Sequence, residues 1–214
     1  LAGRGTYAHL FLKAFNQPNL AYFYDLNTKI TLPLNDKNRL LLSGYFGRDV
    51  VAFDNTFTNT YGNSVVNLRW NRIFSPKVFG NLSLIYSDYY YGLALDFVGF
   101  DWDSGIQNFN VKYDLSYNIS EKITLETGVQ ATYYSFNPGY IQPLTPTSGF
   151  NIEQLQNKFA AEGSVYLSAK HDISPKLALH YGLRINQFNR LAQSGLLEYC
   201  LLYTSDAADE RSWG

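Results

Sequence analysis

The chain has 214 residues, about one domain's worth, with 46% hydrophobic, 17% aromatic and only 16% charged residues and a formal net charge of −1. That balance excludes a basic nucleic-acid binder and a disordered chain, and a single Cys excludes both an internal disulfide and a Cys-rich zinc module. No run of about 18 apolar residues exists, so no transmembrane helix is expected.

The start at Leu1 has neither Met nor a basic segment followed by an apolar one, so the expectation is an internal section of a longer protein. After Pro18 helical spacing is scarce and period-two alternation prevails. In 21–32, Tyr22, Tyr24, Leu26, Ile30 and Leu32 alternate with Asp25, Asn27, Lys29 and Thr31. The stretches 39–49 and 64–74 alternate less cleanly. In 78–90, Leu82, Leu84 and Tyr86 oppose Asn81, Ser83 and Ser87. The clearest segment is 107–117, where Phe109, Val111, Tyr113, Leu115 and Tyr117 face away from Asn108, Asn110, Lys112, Asp114 and Ser116. The same split recurs in 122–134, 159–171 and 177–187. Successive side chains on a strand point to opposite faces, so each segment presents one apolar and one polar face.

The connections differ in length. Asn35-Asp-Lys-Asn38, Ser75-Pro-Lys77, Ser120-Glu-Lys122 and Ser174-Pro-Lys176 are tight and polar, while 50–63, 90–106 and 137–157 read as long loops. Short turns at one end and long loops at the other are the pattern of a transmembrane β-barrel. Such strands need about 9–11 residues to cross, and an apolar outer band is bounded by aromatic girdles. Tyr22, Tyr24, Phe46, Trp70, Tyr86, Tyr133 and Tyr181 suit those girdles. The fold class expected is all-β: an antiparallel up-and-down transmembrane β-barrel. A soluble sandwich also alternates, but its strands average about five or six residues and it has no reason to sort its connections by length.

At the far end, Cys200 to Glu210 resembles the in-frame translation of a transposase sequencing adapter. Residues 200–214 are therefore expected to be a non-native tail, and 1–199 the authentic chain. Setting the tail aside removes Arg211, Asp206, Asp209 and Glu210, which turns the net charge from −1 to +1. It also removes Cys200, and with it any thiol chemistry.

Two stretches carry a family resemblance. Ala21-Tyr-Phe-Tyr-Asp-Leu-Asn-Thr-Lys-Ile30 and Asn35-Asp-Lys-Asn-Arg-Leu-Leu-Leu-Ser-Gly-Tyr-Phe-Gly-Arg-Asp49 resemble the barrel of TonB-dependent outer-membrane receptors, in the subgroup with a carboxypeptidase-regulatory-like N-terminal domain. Leu68 to Phe74 and Leu84 to Tyr91 are similar to the next hairpin of that family, and the likeness covers most of 20–190. It implies a plugged barrel of about 22 strands in the bacterial outer membrane, of which about eight are present here. The plug, the TonB-contacting segment and the terminal strand would lie outside this chain. It further implies an active transporter that takes up a scarce ligand, such as an iron chelate, cobalamin or an oligosaccharide. Its partners would be outer-membrane lipid, the TonB complex through the missing plug, and a surface lipoprotein. Leu1 to Asn19 would lie in or beside an extracellular loop, with Thr6 to Phe15 a short helix. Two other functions remain open: a passive porin or small self-closed barrel, since eight strands can close, and a soluble glycan-binding β-domain.

No enzyme, cofactor or nucleic-acid signature is present: there is no nucleophile elbow and no P-loop. His9, His171 and His180 are isolated, without metal-ligand spacing. Asn81-Leu-Ser83 and Asn118-Ile-Ser120 are chance matches to a glycosylation pattern. The candidates for ligand contact are Tyr90, Tyr91, Phe100, Asp101, Trp102 and Asp103, with Tyr89 beside them, because aromatic faces stack on rings or sugars. Against this stands an outer aromatic girdle with ordinary loop packing. Asp96, Asp101 and Asp103 offer a weak oxygen-ligand set for Ca²⁺, against an acidic solvated loop.

Overall fold

A computed structural model describes residues 1–15, 19–54, 56–145 and 148–191; the expected tail 200–214, with Cys200, lies outside the described residues. Along the chain run β1 (Ala2–Gly5), α1 (Ala8–Ala14), β2 (Leu20–Asn35), β3 (Asn38–Phe53), β4 (Phe57–Ser75), β5 (Val78–Leu95), β6 (Phe100–Ser120), β7 (Ile123–Pro143), β8 (Glu153–Gln154), β9 (Lys158–Ser174) and β10 (Leu177–Leu191). All strands join one antiparallel sheet in the order β1-β2-β3-β4-β5-β6-β7-β9-β10, with the two-residue β8 beside the end of β7. Every long strand pairs with its sequence neighbour, which is up-and-down topology. The sheet is not closed: among the described residues β1 and β10 each have one neighbour.

The eight long strands are those that the alternation marks. The short turns are Asp36-Lys37, Pro76-Lys77, Glu121-Lys122 and Pro175-Lys176, all at one end. The long loops are a correction. Most of 50–63 and 90–106 is strand: β3 and β4 are separated by residues 54–56, and β5 and β6 by 96–99. Only 144–157 is a longer connection, and it holds β8. The alternation fades in these stretches because the two faces there do not differ in polarity: both are polar or aromatic in Thr58-Asn59-Thr60-Tyr61, and both are apolar in Val50-Val51-Ala52. The backbone ladder needs no apolar face to continue. The turns themselves are tight enough to need left-handed residues, Asp54 at φ 42° and Gly99 at φ 68°. At the start of the chain, β1 adds an unforeseen edge strand, and the helix covers Ala8–Ala14 within the expected 6–15. The β1 sequence Ala-Gly-Arg-Gly carries no alternation to reveal it.

No core lies between layers. Among the described residues the only buried hydrophobic side chains are Val50, Ala160 and Ala169, and no large side chain is fully buried. The apolar residues lie on one face, in register across strands: Tyr86, Phe109 and Tyr133 form one cross-strand row, Leu84, Val111 and Ala131 the next, and Leu82, Tyr113 and Val129 the next. Val129 is 53% exposed and Leu183 70%. On β6 the apolar column runs from Phe109 to Tyr117. At about 3.3 Å per residue and a tilt of about 40°, the eight steps rise about 20 Å between backbone positions, comparable with the ~25 Å apolar band of a membrane barrel. Aromatic side chains mark both edges. Towards one edge lie the Tyr86-Phe109-Tyr133 row and, one and two rungs beyond it on the same face, Phe46 and Tyr24 (ring centroids 6.0 Å apart). Trp70, Tyr117 and Tyr181 lie towards the turns, where Trp70 Nε1 donates to Asn38 Oδ1 at 3.1 Å.

The opposite face is polar and cross-linked. Arg69 Nε donates to Ser83 Oγ (3.1 Å), Arg184 to Ser164 Oγ (2.8 Å), and Tyr134 OH to Glu162 Oε2 (3.0 Å). The Tyr166 ring lies across Gly128, its hydroxyl donating to Asp114 Oδ1 at 2.7 Å. A Cβ on Gly128 would meet that ring, the Asp114 carboxylate and the Tyr113 carbonyl, so only glycine leaves the space. No helix among the described residues is long and apolar enough to cross a membrane.

A base at the centre of the apolar band is expected to be costly and one on the polar face cheap. In the membrane-inserted protein, Val129→Arg should lose about 2–4 kcal/mol in a denaturant titration. Thr31→Lys should change the same titration by less than about 0.5 kcal/mol. Equal losses would show that the two faces do not meet different solvents.

Candidate functional site

The candidate residues gather at the end of the sheet away from the tight turns. They lie not in a long loop but on the last rungs of β5 and β6, where Tyr91 pairs with Ser104, Gly92 with Asp103, Leu93 with Trp102, Ala94 with Asp101 and Leu95 with Phe100. Strand alternation then divides them. Tyr89, Tyr91, Phe100 and Trp102 share the polar face, while Tyr90, Asp101 and Asp103 continue the other face beyond its apolar band. The polar row Asp88, Gln107 and Ser135 separates these three from the girdle below.

On that second face the polar groups bind each other. Tyr90 OH donates to Asp103 Oδ1, passing over Gly92, and Gln142 Nε2 donates to Asp101 Oδ2 at 2.8 Å. Burial and the Asp103 hydrogen bond together push the Tyr90 phenol up to about 12. Asp96 sits in the turn. The three carboxylates do not form the Ca²⁺ set considered from sequence: among the described residues no group of three or more His, Cys, Asp or Glu is placed to hold a metal ion.

On the polar face the rings converge. Tyr91 and Trp102 meet edge to face at 5.6 Å, and Phe100 meets Phe150 at 5.1 Å. The Trp102 indole lies over Gly139, where a Cβ would overlap it. Beside it opens a concavity of about 590 Å³, with Tyr89, Trp102, Phe136 and Phe188 among its walls and Lys158 and Arg190 at its border. Neither cation makes an ion pair among the described residues. A cleft of rings bordered by two bases can stack a planar group and balance a negative charge. Of the sequence candidates, Trp102 and Tyr89 line it, whereas Tyr90, Tyr91, Phe100, Asp101 and Asp103 do not. Phe136, Lys158, Phe188 and Arg190 were missed. No sequence signal marks them: the inter-strand register, shifted by one residue after the Leu177 turn, is what sets Arg190 opposite Ala160 and Phe136 opposite Lys158.

No protein-family model matches the sequence. No curated protein matches it. Solved structures do match in fold. The copper transporter OprC superposes with a TM-score of 0.65 at 8% identity, covering 83% of this chain and 32% of its own. The siderophore receptor PiuA from Acinetobacter baumannii gives 0.60 at 15%, covering 83% and 37%. The outer membrane transporter YddB from Escherichia coli gives 0.52 at 10%, covering 79% and 25%. This chain therefore spans well under half of each of these proteins, and what it shares with them is the antiparallel barrel-type sheet.

The raised Tyr90 phenol sets a pH dependence. Its folded value lies above the unfolded value of about 10, so its contribution to stability is complete below pH ~10 and is lost as pH rises through ~12. In an alkaline titration of absorbance near 295 nm, Tyr90→Phe should remove one of the late-titrating phenols. An unchanged late phase would show that the Tyr90–Asp103 pair does not form.

Proposed function

We propose that residues 1–199 are a section of an active transporter of the bacterial outer membrane, and that 200–214 are no part of it. One observation carries this reading. The sheet buries almost no large side chain, and its apolar residues stand exposed in one band about as tall as a hydrocarbon core, bounded by aromatic rows. Such a surface suits contact with lipid. A soluble sandwich would cover it with a second sheet, and among the described residues the order of strands supplies none. The barrel-type sheets of known transporters and receptors support the same reading.

In this proposal the apolar face meets outer-membrane lipid and the polar face lines the lumen. A plug beyond this chain couples the barrel to the TonB complex, a surface lipoprotein assists at the outer end, and no covalent chemistry is performed. The ligand enters from the end that holds the concavity. Rings beside Lys158 and Arg190 favour an anionic, ring-bearing iron chelate over an uncharged oligosaccharide or cobalamin. The free edges at β1 and β10 favour a section of a larger barrel over a small closed one, because lipid offers no partner to an unpaired strand edge.

Two measurements test this. Iron-starved cells carrying the full-length gene should accumulate radiolabelled iron from a ferric catecholate only when TonB is present. Trp102→Ala combined with Arg190→Ala should lower that uptake at least about tenfold. Uptake independent of TonB would favour the passive pore. Separately, the 1–199 chain alone should give no monodisperse, heat-modifiable species in detergent; such a species would mean that these strands close on themselves.

A further inference from the structure

The four tight turns share more than their length. Each places a lysine at its last position: Lys37, Lys77, Lys122 and Lys176, all exposed. Each lysine N–H is held by the side chain two residues before it: Asn35 Oδ1 at 3.0 Å, Ser75 Oγ at 3.3 Å, Ser120 Oγ at 3.3 Å and Ser174 Oγ at 3.4 Å. The first three lysine carbonyls also accept a hydrogen bond from the next hairpin, from the N–H of Ile73, Asn118 and Asp172, each at 2.8 Å. The turns are thus fixed both within themselves and to one another. Strands lie about 4.8 Å apart, so consecutive lysines stand about 10 Å apart along the rim.

None of the four makes an ion pair among the described residues, although Asp36 and Glu121 share two of the turns. Lys77 Nζ reaches the Ile119 carbonyl at 3.4 Å. A fifth cation stands on the apolar face just above the rim: the Arg72 guanidinium lies 5.5 Å from the Trp70 ring centroid and 4.9 Å from that of Phe74. At the opposite end acids outnumber bases, with Asp49, Asp54, Asp88, Asp96, Asp101 and Asp103 against Arg48, Lys158 and Arg190. The bases are therefore concentrated where the apolar band meets the short turns.

We propose that this turn end is a binding rim for anionic phospholipid headgroups, in which Lys37, Lys77, Lys122, Lys176 and Arg72 engage the phosphates of the inner leaflet and set the depth of the barrel. Charge complementarity and continuity with the aromatic edge of the band select this occupant. The rim lies at headgroup depth, where each base gains about fivefold in attraction to an acidic surface. The inference rests on the membrane reading above.

The test uses the full-length gene product reconstituted in phosphatidylcholine vesicles, with spin-labelled phosphatidylglycerol or phosphatidylcholine as the probe. Wild type should hold the phosphatidylglycerol label in preference, and about 1 M salt should abolish the preference. Lys37→Gln with Lys77→Gln, and Lys122→Gln with Lys176→Gln, should each reduce it at least about twofold, and all four together at least about threefold. A control with the same loss of charge on the polar face, Lys29→Gln with Lys112→Gln, should leave it unchanged. Inserted protein whose preference is the same in wild type and the rim variants overturns the rim and leaves the membrane reading standing, with the lysines then free for an acidic periplasmic protein. An equal loss in the control also overturns it. Failure to enter vesicles of any composition overturns the membrane reading and the rim together.

Discussion

Lateral backbone pairing is the constraint on which this sheet depends. With almost no large side chain buried, the ladder between neighbouring strands is the main thing that holds each one in place. In hydrocarbon an unpaired N–H or C=O has no water to turn to, so the ladder must be continuous along each strand and from strand to strand. The strands accordingly run for up to 21 residues, well past the apolar band, and shifts in register fall mainly at the tight turns. Even a hydroxyl within the band, Thr127 Oγ1, is returned to the backbone at 2.8 Å, on the Tyr166 carbonyl.

Given that ladder, the two faces separate by solvent. The apolar face needs no shape complementarity, because lipid fills whatever outline it presents, and this explains why its Leu, Val and Tyr side chains are so loosely covered. The polar face makes its own contacts. Tyr166 over Gly128, bonded to Asp114, shows how a missing side chain on one strand makes room for a ring from the next and ties three strands together. The ends then differ in charge: bases on turns fixed by hydrogen bonds at one end, and at the other an excess of acids with rings beside Lys158 and Arg190.

Some of this was legible in the residues and some was not. The strands at 107–117 and 122–134 were visible because their apolar face is continuous and their polar face unbroken. The upper halves of β3 to β7 were not, because above the band neither face is consistently apolar and the ladder leaves no periodic trace in composition. The candidate site suffered from the same blindness. Read as a loop, 90–106 makes Tyr90, Tyr91, Phe100, Asp101, Trp102 and Asp103 one cluster. Once the segment is strand, alternate residues part company, and Trp102 joins Phe136, Lys158, Phe188 and Arg190 from strands far along the chain.

The sequence by itself determined the strand class, the number of long strands, which residues of the apolar band share a face, and which end holds the tight turns. These follow from local sterics: a period of two, and turn residues that bond their own backbone. Only the tertiary structure decided where strands end, that β1 and β8 exist, and which distant residues border the concavity. Those depend on inter-strand register, and register is a relation between segments that no single segment contains.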